Sequence, residues 1–266
     1  MRKHLKKSLS AFAVIIIIIT AFYYLWLVPR YTVPILMYHR IGESEDGNDQ
    51  LFVSKDSFKR QMAYLNWRGY NVISMDELVS GIRNNRKFGR NTVVITIDDG
   101  YEDNFTNAYP VLKEHDFPAI IFVITNNINK DDFLKNHQII KALSESKVTF
   151  GSHTKNHAYL PDVKDPKELK DEILSSKQDL EALTLQSIDY FCYPSGGFTE
   201  QAKKFVKQAG YKGACTTNRG NAKYNKDIYE LKRIKIKNSD FVEKPASFFV
   251  KLSGYYNVFR KGKNPY

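Results

Sequence analysis

The chain has 266 residues, 42% of them apolar and 14% aromatic, with 40 Lys and Arg against 29 Asp and Glu. That length can bury a sizeable core without staples, and the composition is too apolar for a disordered polypeptide. Two cysteines, Cys192 and Cys215, exclude a disulfide-rich scaffold and a four-cysteine zinc module. The net charge of +11 is uneven: residues 1–30 hold five basic and no acidic side chains, residues 31–199 hold 19 and 24, and residues 200–266 hold 16 and 5. A uniform nucleic-acid face is not indicated, and no nucleic-acid partner is expected.

From Leu9 to Val28 no residue is charged, and the five isoleucines Ile15 to Ile19 lie at the centre. About 20 apolar residues cross ~30 Å of hydrocarbon as a helix. Tyr23, Tyr24 and Trp26 suit an interfacial aromatic belt, and Arg2, Lys3, Lys6 and Lys7 put the N-terminus in the cytoplasm by the positive-inside rule. A cleaved signal peptide is the competing reading. Its apolar stretch would be shorter and would end in small residues, where this one has Phe22-Tyr23-Tyr24-Leu25-Trp26. Residues 1–30 are expected to be a cytoplasmic tail and an uncleaved membrane anchor. Residues 31–266 are expected to form an extracytoplasmic domain.

Ile35–Tyr38 reads as a first strand. Ser54 looks like an N-cap, after which Phe58, Met62 and Leu65 share a helical face as far as Gly69. Val72-Ile73 is a brief strand, and Ser74-Met75-Asp76-Glu77 a capping box. Strands follow at 92–97, 119–124 and 148–150, with helices at 107–114 and 133–144 between them. The longest helical pattern, 166–185, carries Leu169, Ile173, Leu180 and Leu183. Strands at 188–193, 211–216 and 229–236 flank a helix capped by Thr199, and a last helix lies within 240–252. About seven strands alternating with helices predict an α/β barrel. The tail after about residue 254 is expected to be loosely ordered.

Four clusters fall at predicted strand ends, where sites form in parallel α/β folds. In Thr96-Ile97-Asp98-Asp99-Gly100, two adjacent carboxylates leave a strand toward different sides, so one can bind a metal and the other face a substrate. Taken alone, Asp-Gly is also an ordinary turn. In His153-Thr154-Lys155-Asn156-His157, two of only six histidines can reach one metal if the segment coils. The turn Cys192-Tyr193-Pro194-Ser195-Gly196-Gly197 can aim a backbone N–H into a pocket, as an oxyanion hole requires. Met37-Tyr38-His39-Arg40 ends the first strand. His4 lies in the tail, and His115 and His137 are expected at the surface.

In this order the clusters resemble the polysaccharide deacetylases of the NodB-homology type, a carbohydrate esterase family. Residues 96–100 match its Thr-Phe-Asp-Asp-Gly motif with Ile for Phe. Residues 153–157 match His-(Ser/Thr)-x-x-His in full, and Tyr193-Pro194-Ser195-Gly196 matches the third motif in part. The resemblance implies a distorted (β/α) barrel and metal-dependent removal of acetyl groups from an N-acetylated polysaccharide. It makes Asp98 the general base, and Asp99, His153 and His157 the ligands of one divalent ion, by default zinc, with cobalt or nickel as alternatives. The Ser195 N–H would hold the oxyanion.

Three departures matter. Cys192 stands where the third motif usually has an Arg. No Trp follows Trp67, so the family's Asp–Trp motif is missing. No His follows His157, so the late Leu-x-His motif is missing too. An early Tyr-His pair after a Val-Pro-Ile-Leu-Met strand resembles the biofilm poly-N-acetylglucosamine deacetylases, which makes His39 the expected general acid. Arg233 is the expected replacement for the lost Arg, paired with Asp98. The expected protein is a monomeric, membrane-anchored deacetylase of an N-acetylglucosamine polymer, with poly-β-1,6-N-acetylglucosamine first, and peptidoglycan or chitooligosaccharides behind it. A non-catalytic glycan-binding barrel and a hydrolase of another ester are the rivals.

Overall fold

The computed structural model describes residues 2–44, 50–220, 224–258, 260 and 262–264. Contacts divide the chain into two units, one through Thr32 and one from Val33 onward. In the first unit helix α1 (Arg2–Ala21) continues through a π-helical stretch, Phe22–Leu27, into a 3-10 turn at Val28–Arg30. Phe12–Arg30 has a mean hydropathy of 2.3 and is long and apolar enough to cross a membrane. Ile15 to Ile19 are all exposed, an apolar surface of the kind that lipid or a partner covers.

The second unit contains the strands β1 (Ile35–Tyr38), β2 (Arg40–Ile41), β3 (Phe52–Val53), β4 (Asn71–Val72), β5 (Thr92–Ile97), β6 (Ala119–Val123), β7 (Val148–Ser152), β8 (Tyr190–Cys192), β9 (Gly213–Thr216), β10 (Leu231–Lys232) and β11 (Ile234–Lys235). Its helices are α2 (Lys55–Trp67), α3 (Met75–Arg83), α4 (Tyr109–Glu114), α5 (Asn136–Glu145), α6 (Pro166–Thr184), α7 (Glu200–Gln208), α8 (Ser239–Val242) and α9 (Pro245–Leu252). Eight strands are hydrogen-bonded in the order β10-β9-β8-β7-β6-β5-β1-β11, every pair parallel, with β4 beside β5. The strands β10 and β11 are halves of one extended run divided only by Arg233. One half pairs with β9 and the other with β1, so residues 231–235 join the two edges of the sheet. This is the expected distorted (β/α) barrel, with seven chain segments around it among the described residues.

Local sequence explains the frame. All of β5 and β6 is buried, as strands covered on both faces must be, and both are runs of β-branched and apolar residues. The expected α2 face, Phe58, Met62 and Leu65, is fully buried, worth about 1.5–3 kcal/mol for each side chain. Ser54, Ser74 and Thr199 each accept a backbone N–H three residues on, as N-caps do.

Several elements differ from expectation. The strand expected over 229–236 is interrupted at Arg233, whose guanidinium turns inward. The helix expected from 107 is preceded by a π turn, Asn104–Ala108. As expected, Pro245 confines the last long helix to its C-terminal part: it sits in the first turn of α9, where its missing N–H costs nothing, while the short α8 precedes it. The parallel pair β2 and β3 was not expected, because two residues per strand are too short to show a period. Cys192 and Cys215 are free, buried register partners on β8 and β9. The expectation of a loose tail falls partly on residues outside those described. Within the described part, Tyr256–Val258 forms a 3-10 turn and Lys263 bridges to Arg219.

Candidate active site and metal centre

Because the strands are parallel, their carboxyl ends share one rim. His39 follows β1, Asp98 and Asp99 follow β5, His153 follows β7, and the turn 193–197 follows β8. Asp99 adopts a left-handed φ of 74° and Gly100 follows with 73°. That sharp exit separates the two carboxylates.

Asp98 is buried and paired with Arg233. The two guanidinium Nη atoms donate to its two oxygens at 2.6 Å each. The same guanidinium donates to Thr96 Oγ1 at 3.0 Å and the Thr216 carbonyl at 3.1 Å, and lies 3.0 Å from Cys192 Sγ. A planar fork held at this many points is fixed in orientation. Burial alone would raise the Asp98 pKa; the Arg233 guanidinium overrides it and holds the carboxyl well below the usual carboxylate range. Nε2 of His39 lies 3.8 Å from Asp98 Oδ2, and its side chain is 15% exposed. Burial lowers the His39 pKa despite the pull of Asp98 and Asp99, so at neutral pH the ring is uncharged.

Asp99 faces the histidines. Its Oδ1 is buried, has no hydrogen-bond partner, and stands 3.4 Å from Nε2 of both His153 and His157. The Nδ1 of His153 lies 2.8 Å from the Cys192 carbonyl. A carbonyl only accepts, so Nδ1 carries the proton and Nε2 keeps its lone pair for a cation. His157 has φ 61° and its side chain is 39% exposed, which opens one side of the group to solvent. One carboxylate oxygen and two imidazole nitrogens, converging with an open side, fit a catalytic divalent ion. A second grouping, Asp98, His153 and Cys192, also lies close together. It does not suit a cation: Arg233 already occupies both Asp98 oxygens, and burial raises the Cys192 thiol, keeping it protonated.

The turn after β8 places Ser195 at φ 52°. Its hydrogen bonds run from Gly196 N to Tyr193 O and from Gly197 N to Pro194 O, and neither uses the Ser195 N–H. His39, Asp98, Asp99, His153, His157 and Ser195 thus all follow carboxyl ends of parallel strands, and Arg233 reaches Asp98 from the break between β10 and β11. Thr96 and Arg40 stand in the sequence clusters but are given no role there. The Thr96 hydroxyl donates to the Leu36 carbonyl while accepting from Arg233, and Arg40 is clamped by Asp103 at 2.8 Å and by Asp132, and stacked 4.2 Å from the Tyr101 ring. Asn104 donates to the His39 carbonyl at 2.7 Å. The motif over residues 96–100 is the signal for the first.

The chain matches a polysaccharide deacetylase family model over residues 85–214. It is 32% identical over 203 residues to a putative polysaccharide deacetylase, YxkH, of Bacillus subtilis, covering 76% of this chain and 71% of the relative. The chain belongs to the polysaccharide deacetylase family. Its members in the comparison include the Streptococcus pyogenes deacetylase PplD, solved in complex with acetate. That structure superposes with a TM-score of 0.75 at 29% identity, covering 83% of this chain and 98% of the other. A poly-β-1,6-N-acetyl-D-glucosamine N-deacetylase of Staphylococcus epidermidis is 25% identical over 236 residues, covering 77% of this chain and 79% of that one. As a polysaccharide deacetylase the chain is an enzyme, a hydrolase acting on acetylated polysaccharide.

Proposed function

We propose that this polysaccharide deacetylase is a divalent-metal-dependent N-deacetylase of an N-acetylglucosamine polymer, anchored in the membrane with its barrel outside. The observation that carries this reading is the convergence of Asp99, His153 and His157 beside the Asp98–Arg233 pair and His39. The likeness to the staphylococcal poly-β-1,6-N-acetylglucosamine deacetylase makes that polymer the first substrate to test. The uncharged helix behind Arg2, Lys3, Lys6 and Lys7 supports the anchor and its orientation.

Asp99, His153 and His157 would hold the ion, which when bound supplies Lewis acidity to a carbonyl and to a water. Asp98, kept ionised by Arg233, takes the attacking water's proton. The Ser195 N–H donates to the tetrahedral oxyanion. Collapse expels an amine that needs a proton. His39 is uncharged at rest, so it must first be loaded, and Asp98 Oδ2 at 3.8 Å is placed to load it. Acetate and a free glucosamine amine result.

The test is acetate release from poly-β-1,6-N-acetylglucosamine, chitooligosaccharides and peptidoglycan, with and without a chelator. Chelation should abolish release, and zinc, cobalt or nickel should restore it. Release unaffected by chelation would overturn the metal assignment. His39→Ala should lower kcat by about 10²- to 10⁴-fold while metal binding persists, since His39 is not among the three converging donors.

A further inference from the structure

We infer that Glu172 is a positioning residue for the metal centre, the side chain that fixes the loop carrying His157. This rests on the proposed ion at Asp99, His153 and His157. Loop 153–157 is bent by two non-glycine residues in the left-handed region, Thr154 at φ 66° and His157 at φ 61°. Such backbone is strained for a residue with a Cβ and persists only when its surroundings over-determine it. Glu172, on α6, supplies that constraint. Its Oε2 accepts the N–H of Asn156 at 2.9 Å and that of Lys155 at 3.1 Å, the latter shared with the backbone carbonyl of Glu172 at 3.2 Å, and its Oε1 accepts the Asn156 side-chain amide at 2.6 Å. The carboxylate is 3% exposed, and no ion pair to it is found among the described residues.

A buried carboxylate without a cation is costly unless N–H donors replace its water. Here three donors do so, and all three belong to the segment between the two proposed ligands. Charged acceptors bind such donors about twice as strongly as neutral ones. The far side of the loop is held by neutral acceptors only: Thr125 N donates to the Thr154 carbonyl at 3.2 Å, Asn126 N to the Lys155 carbonyl at 3.0 Å, and the Asn126 side-chain amide to Asn156 Oδ1 at 2.6 Å. The Thr154 hydroxyl then accepts the His157 N–H at 2.9 Å. Glu172 therefore sets the direction from which His157 approaches the ion without touching it.

The experiment is zinc affinity of the full chain in detergent, measured by competition with a chromogenic chelator. Wild type, His157→Ala, Glu172→Ala, Glu172→Gln and Asn156→Asp are compared. Wild type should bind one zinc, and His157→Ala should lose it. Glu172→Ala should bind about 10- to 100-fold more weakly, the range for residues that orient ligands. Glu172→Gln should recover part of the loss, since its carbonyl oxygen can still accept the two backbone N–H groups. Should Glu172→Ala fail to fold, Asn156→Asp reports instead: Asn156 is exposed, and a second carboxylate facing Glu172 should loosen the loop and weaken zinc. Wild-type affinity in Glu172→Ala or, where that variant does not fold, in Asn156→Asp overturns the inference and leaves the metal assignment standing. No zinc bound by the wild type overturns both.

Discussion

Asp98 and Arg233 form the tightest charged contact of the site, and the pair makes a pH prediction with a definite sign. In the wild type the Asp98 pKa is depressed in the fold. Its stabilisation is therefore complete above the ordinary carboxylate value near ~4 and is lost only as pH falls through the lower folded value. Arg233→Met leaves a buried carboxylate without its cation, a loss of about 3–5 kcal/mol at neutral pH. In that variant burial, the largest influence on Asp98, is no longer opposed by the guanidinium, and the Asp98 pKa rises. The stability deficit should then shrink on acidification toward pH 4, as the carboxyl protonates in the folded protein. Urea midpoints at pH 7 and pH 4.5 measure this, and a deficit equal at both would refute it. Acetate release should fall with the lost orientation of Asp98. The proposed ligands were legible as candidates in the sequence because a metal needs rare residue types at strand ends. Glu172 was not. It sits on α6 between Leu169 and Ile173, in the buried stripe of the helix, and a charge there reads as an irregularity until its N–H partners are known.

At the scale of elements, the turn after β8 carries the strongest steric constraint on the rim. A Cβ on Gly196 would lie 2.4 Å from the Thr217 hydroxyl and 2.5 Å from its backbone N, at a φ of +73°. Gly196→Ala is therefore expected to cost at least about 1–3 kcal/mol through overpacking and strain, and to move the Ser195 N–H. The observable is a lowered melting temperature with a larger fall in kcat than in metal affinity. Unchanged melting and kcat would remove Ser195 from the proposed oxyanion site. Strands and helices with a clear apolar period were legible: β1, β5, α2, and the start of α7 at Thr199. The run 229–236 was legible as a strand but not as two halves, since its break arises from one side chain finding a partner across the barrel.

For the whole molecule, the division at Thr32 and Val33 makes a fragment beginning at Val33 the natural one to test by itself. That fragment should fold cooperatively and release acetate at a rate near that of the full chain, while the full chain should stay with membranes through a high-salt wash. Loss of folding in the fragment would show that the first unit is more than an anchor. The basic excess of residues 200–266 suits an anionic surface. Replacing Lys244 and Lys263 should weaken binding of the fragment to anionic vesicles, measured by co-sedimentation at low and high salt.

The closing run 231–235 has a consequence during synthesis. It is the last of the barrel segments to leave the ribosome, and it holds Arg233, the one guanidinium paired with Asp98 among the described residues. Until it inserts between β9 and β1, the half-built sheet has two open edges and an acidic group facing its interior. Closure of the barrel and neutralisation of Asp98 therefore arrive in one event, and a chain truncated before Arg233 would carry the proposed ligands Asp99, His153 and His157 without the counter-charge beside them.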